Sequence, residues 1–119
     1  MFRLNFTTRV MGEKAAGRLK NKEITQTIRS EKSDIVLAML HRELLIGDQM
    51  EIALDGEVLG QAYPASIDRL SADLFSIGDA TRGGFDTLEE MDKALKRAGY
   101  RFHSFNKYLF YRGLFTWLK

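Results

Sequence analysis

Phe2, Leu4 and Phe6 alternate with Arg3 and Asn5, the period-two pattern of a short half-buried strand. Thr7 or Thr8 can then cap a helix running to about Leu19, with Val10, Met11, Ala15 and Leu19 on its apolar face. Gly12 and Gly17 weigh against that helix, since each costs about 1 kcal/mol relative to alanine. The next run, Glu23 to Arg29, reads as a strand with Ile24, Gln26 and Ile28 on one face. Thr25, Thr27 and Arg29 share the other. Ser33 or Asp34 can cap an apolar helix from Ile35 to about Leu44.

Gly47-Asp48 turns the chain into a hairpin whose first strand is Gln49–Leu54. Asp55-Gly56 makes the tight connection, because both central residues of a type I′ turn require positive φ. The return strand runs from Val58 to Ile67, and Pro64 marks an edge or a bulge in it. Residues 68–84 are mixed, with one short helix expected around Ser71–Phe75 and a glycine loop at Arg82-Gly83-Gly84. Asp86 and Glu89 fit a capping box for a helix whose buried stripe is Leu88, Met91 and Leu95, stopped by Gly99. An aromatic stretch, Tyr108–Leu118, closes the chain as a long strand. These elements predict one α+β domain over residues 1–119.

Composition narrows the chemistry. The chain has 119 residues, 45% of them hydrophobic and 29% charged, which are ordinary globular values. Having no cysteine and only His41 and His103, it offers no thiolate nucleophile and no metal site rich in Cys or His. No cofactor and no metal are expected. No apolar run reaches the ~20 residues of a membrane span, so a cytoplasmic protein without membrane contact is the expectation.

The formal charge of +2 conceals a division. Residues 1–32 carry 8 basic and 3 acidic side chains, residues 33–92 carry 3 and 13, and residues 93–119 carry 7 and none. If the two basic ends meet, they form a cationic surface suited to phosphate-bearing ligands. Two separate solvated faces would have the same composition.

Three constellations could carry function. Thr25, Thr27 and Arg29 align two hydroxyls and a guanidinium along one strand face, which suits a planar or phosphate-bearing ligand and equally suits a plain solvated face. Lys20 and Lys22, with Lys14, Arg18 and Lys32, add a basic stretch around that strand. At the C-terminal end Tyr100, His103, Tyr111, Arg112 and Trp117 interleave aromatics with basic residues, as base-stacking surfaces and packed cores both do. Asp79, near the glycine loop, is open as an acid or a hydrogen-bond acceptor.

Thr27 and Arg29 after the first helix, Gly47-Asp48 before a strand, the Gly84-Phe85 step into a helix and the aromatic closing strand together resemble the ASCH family. These small β-barrel domains are related to the PUA fold of RNA-modification enzymes. The resemblance covers nearly the whole chain and implies a mixed β-barrel with flanking helices. The family's signature is G-x-K-x-x-T-x-R, and here Lys22 occupies the Gly position and Ile24 the Lys position. Some members hydrolyse the N4-acetyl group of acetylcytidine with the Lys, the Thr and an acid before the Gly-Phe step, where this chain has Gly83. Ribonuclease activity is also associated with the family.

The resemblance therefore implies a module binding RNA or a nucleoside-containing ligand. Its site would comprise Lys20, Lys22, Thr25, Thr27, Arg29, Arg82, Gly84, Phe85 and Arg112. The first alternative is an amidohydrolase with Thr27 as nucleophile, Asp79 replacing the acid, and Lys20 or Lys22 reaching in as the lysine. A protein-interaction module using the acidic middle segment is the second.

Overall fold

The computed structural model describes residues 1–100 and 109–118. Strand β1 spans Phe2–Phe6, as its alternation predicts. The single helix expected after it is two: α1 covers Thr8–Met11 and α2 covers Glu13–Lys20. Gly12 separates them at φ 88, a conformation most side chains avoid. Strand β2 is shorter than expected, Gln26–Arg29, and α3 runs over Asp34–Leu40 behind Ser33. Strands β3 (Met50–Leu54) and β4 (Glu57–Ser71) form the hairpin, with Asp55 at φ 51 and Gly56 at φ 87. Both values are those a type I′ turn requires.

Residues 68–84 are better ordered than the sequence pattern suggests. A 3-10 turn at Ala72–Leu74 leads into α4, Ile77–Arg82, which hydropathy does not signal because Ile77 is exposed. A capping box starts it: the Ser76 hydroxyl accepts from the Asp79 amide, and the Asp79 carboxylate accepts from the Ser76 amide. The capping box expected at Asp86 and Glu89 is absent. Helix α5 covers Leu88–Arg97, and its N-cap is Thr87, whose hydroxyl accepts from the Glu90 amide. Asp86 instead pairs with Lys14 and Arg18. Strand β5, Leu109–Trp117, completes the chain's elements.

The strands form one mixed sheet in the order β1-β3-β4-β5-β2, with β1–β3 parallel and the other pairs antiparallel. It curls into a half-barrel of the α+β class. Pro64 sits at the foreseen bulge, where the β4–β5 register slips between Pro64 and Ser66. It lies on a central strand, not an edge. Strand β3 pairs only as far as Ala62, so no ladder bond on that side needs the missing N–H.

Two apolar clusters fill the concave side and the flank. The larger joins Leu4, Leu19, Ile24, Val36, Ile52 and Phe115 with their neighbours. The smaller comprises Ala80, Met91, Leu95 and Phe110, with Phe75 and Tyr100 packed on Phe110 at ring distances of 5.5 and 5.2 Å. Phe85 touches both clusters. In β5 the aromatics Phe110 and Phe115 are buried core, and the expected aromatic and basic positions from Arg101 to Tyr108, with Lys119, lie outside the described residues.

Gly84 fixes how closely the turn after α4 approaches the segment ahead of β2. At φ 93, a Cβ there would stand 2.6 Å from Ile24 Cδ1, inside van der Waals contact. Gly84→Ala is expected to lower stability by about 2–3 kcal/mol through combined strain and overpacking. Urea unfolding followed by circular dichroism measures it, and a change below 0.5 kcal/mol would rule out this close contact.

Candidate binding cavity at the β1–β2 seam

Strands β1 and β2 are the two ends of the half-barrel, and one side chain reaches across between them. Arg29 Nε donates to Thr27 Oγ1 at 2.7 Å and an Nη donates to the Asn5 carbonyl of β1 at 2.7 Å. The guanidinium lies 5.0 Å from the centre of the Phe6 ring. Beside it opens a cavity of about 320 Å³, lined by the end of β1, by α1, β2 and α5, and by Asp79, Gly83 and Phe85. Its size is at the lower end of small-ligand pockets, roughly 300–1,000 Å³. Val10, Met91, Leu95 and Phe85 make an apolar wall, while Thr27, Arg29, Gln26 and Arg9 supply polar groups.

Arg29 stands out electrostatically. Desolvation pushes its pKa down, partly offset by Tyr100 and Asp34 acting through space, and no carboxylate pairs with it among the described residues. A guanidinium stays protonated under these conditions, so the cavity carries a partly dehydrated cation with no direct carboxylate contact among the described residues. Thr27 is 6% exposed. Its oxygen accepts from Arg29, which leaves the hydroxyl hydrogen to donate into the cavity.

Asp79 forms the floor and is completely buried. Its Oδ1 accepts from Arg112 and Arg82 at 2.9 Å each and from Gln26 Nε2 at 3.2 Å, while Oδ2 accepts from the Ser76 amide at 2.8 Å. Burial disfavours the ionised carboxyl, but the Ser76 amide, Arg112 and Gln26 outweigh it and hold the pKa at about 2. Gln26 is locked as well, its Oε1 accepting from Arg82 Nε at 2.7 Å. Arg112 is also paired with Asp68 at 2.6 Å, and its own pKa is raised.

The expected site residues therefore separate. Thr27, Arg29, Phe85 and Asp79 share the cavity, whereas Gly84 and Thr25 do not line it. Arg82 and Arg112 are spent on Asp79 and Asp68. Lys20 and Lys22 are exposed and do not line the cavity either. Lys22, at φ 59, keeps the left-handed backbone that a signature glycine would supply, but its ammonium lies 5.6 Å from the centre of the Trp117 ring. Ile24 is fully buried in the apolar core, packed toward Gly84. The two basic blocks do adjoin, since β2 pairs with β5, yet acidic residues of the middle segment pair with Lys14, Arg18 and Arg112 through Asp86, Asp68 and Asp79.

Arg9 and Asn5 are cavity residues that sequence reasoning missed. The one available signal was Gly12, which breaks the helix after Met11.

No protein-family model and no curated protein matches the sequence. Solved structures do. An ASCH domain from Lactobacillus crispatus JV V101 aligns over 98% of this chain and 79% of its own, with a TM-score of 0.63 and 13% identity. The fold is that of an ASCH domain. Protein EF3133 from Enterococcus faecalis V583, assigned to DUF984, aligns over 87% of this chain with a TM-score of 0.56 and 16% identity. This chain spans 66% of that protein's length. Among the described residues of this ASCH fold, no helix is long and apolar enough to cross a membrane, and no cluster of three or more His, Cys, Asp or Glu could hold a metal.

The Asp79 network has a pH signature. With its carboxyl at about 2 in the folded state against 3.8 for the free group, Asp79 contributes stability above pH 4. That contribution, about 2 kcal/mol, is lost as pH falls toward 2. Asp79→Asn leaves Arg82 and Arg112 partly uncompensated and is expected to cost about 3 kcal/mol at pH 7. Between pH 4 and 2 the variant should lose less stability than the wild type. Urea midpoints across that range test this, and parallel curves would exclude Asp79 as the titrating group.

Proposed function

We propose that this chain is an ASCH-fold binding module that takes RNA or a nucleoside-containing ligand into the seam cavity. The observation that carries this reading is Arg29, a desolvated guanidinium without a carboxylate partner among the described residues, lining a cavity with an apolar wall. Such a cation suits a phosphate or the acceptor edge of a base, through charge-assisted hydrogen bonds. The Thr27 hydroxyl can donate to a base carbonyl beside it, and Met91, Leu95 and Phe85 offer apolar contact for a ring. Recognition of this kind favours single-stranded or looped RNA, whose bases can leave the stack.

The amidohydrolase reading needs a base to activate Thr27. Ile24 stands where the signature lysine would be, and Asp79 is held ionised by two arginines and an amide, its oxygens already accepting five hydrogen bonds. Binding without turnover is accordingly the favoured function, and RNA metabolism its setting. Turnover of N4-acetylcytidine that disappears in Thr27→Ala would identify an enzyme instead.

Arg29→Ala is expected to weaken binding of a labelled single-stranded RNA hexamer about 10–100-fold, the effect of removing a charged hydrogen bond worth about 1.5–3 kcal/mol. Fluorescence anisotropy reads the affinity. Because Arg29 also joins β1 to β2, circular dichroism must confirm that the variant is folded. Arg29→Lys, which keeps the charge but not the fork, should bind with intermediate affinity. Unchanged affinity in folded Arg29→Ala would sink the assignment.

A further inference from the structure

The seam cavity contains a charge imbalance larger than Arg29 alone. Arg9 lines the same cavity, and among the described residues neither arginine forms a salt bridge. Residues 101–108, outside the described residues, include no Asp or Glu. Arg82 and Arg112, by contrast, are matched by Asp79 and Asp68.

The backbone beneath Arg9 is pinned at both ends. Asp55, from the β3–β4 turn, accepts from the Thr8 amide at 2.9 Å and from the Thr8 hydroxyl at 2.6 Å. Arg97 Nε donates to the Val10 carbonyl at 2.8 Å, and Gly12 ends the helix. The Arg9 side chain itself is exposed and makes no hydrogen bond to the described residues. Its backbone is fixed beside the cavity, and its charge is left unpaired by the described residues.

We infer that Arg9 and Arg29 together clamp a terminal phosphate monoester, so that the ligand is a mononucleotide or a phosphorylated RNA end. This rests on the proposed function above and narrows it. A monoester carries about −1.5 to −2 at pH 7 on three acceptor oxygens. A diester within a strand carries one charge and a nucleoside none, so only the monoester balances two guanidiniums and offers oxygens to both. The cavity volume of about 320 Å³ favours a single nucleotide over several.

The test is a titration with an RNA hexamer bearing hydroxyls at both ends, with the same hexamer phosphorylated at the 5′ or the 3′ end, and with nucleosides and their monophosphates. The wild type should bind at least one phosphorylated form tenfold or more tightly than its hydroxyl counterpart. The mononucleotide and hexamer arms tell a free nucleotide from an RNA end. Arg9→Ala should abolish the preference while leaving the melting temperature unchanged, and Arg9→Lys should restore part of it. Arg29-dependent binding with no phosphate preference, or a preference that survives Arg9→Ala, would overturn the clamp while sparing the binding module. Absence of binding by every probe would overturn both.

Discussion

Burying the Asp79 carboxylate ties α4 to β2 and β5, because both of its oxygens must be met by donors once water is gone. Gln26 supplies one from β2, Arg112 one from β5, Arg82 one from the end of α4, and Ser76 the amide that starts α4. Removing an ion of this size from water costs several kcal/mol, so a looser arrangement would favour a neutral acid over the folded ion pair. Since Asp68 takes the other side of Arg112, two carboxylates face two guanidiniums and the cluster is charge-neutral. That neutrality is why the cavity floor does not cancel the charge of the arginines at the seam.

The seam follows from the sheet order. A five-stranded sheet that curls without closing leaves two edges with unpaired backbone groups. At the point where β1 and β2 approach, a guanidinium spans the gap in place of a ladder, and it takes the Asn5 carbonyl as one acceptor. A side chain bridges a wider separation than a backbone hydrogen bond can, and the space kept open beside it is the cavity. The cavity also lies where the two apolar clusters meet, with Phe85 belonging to both. Fold and site therefore share residues, and Arg29 is at once part of the closure and a polar group of the cavity.

Much of the framework could be read from local pattern. The Phe2-Leu4-Phe6 alternation, the Asp55-Gly56 turn, the bulge at Pro64 and the burial of Met91 and Leu95 all express rules that act within a few residues, whereas Leu88, expected in the same buried stripe, is exposed in the first turn of α5. Helix α4 was illegible because a polar capping box starts it and the apolar residue at its head, Ile77, faces solvent. For the same reason Asp79 looked free of structural duty. Thr27 and Arg29 were recognisable from strand alternation and their spacing, but the partition of charges was not. Whether Arg112 or Lys22 is paired depends on Asp68, Asp79 or Trp117, which lie far away in sequence, and Arg82 meets Asp79 only because α4 forms and brings them one turn apart. The expected division of β2 into one apolar and one ligand face also failed, because Gln26 and Thr27 are both buried.

The loop from α2 to β2 departs from the ASCH pattern at both Lys22 and Ile24, and the two departures meet at one indole. Trp117 Nε1 donates to the Ile24 carbonyl at 2.7 Å, while the Lys22 ammonium lies against the ring. The indole thus ties β5 to the residue just ahead of β2 on its N–H side and carries a cation on its face. It is also the chain's single tryptophan. Both perturbations act on the same excited state, so the intrinsic emission of this protein is an optical gauge of that loop, uncontaminated by a second indole.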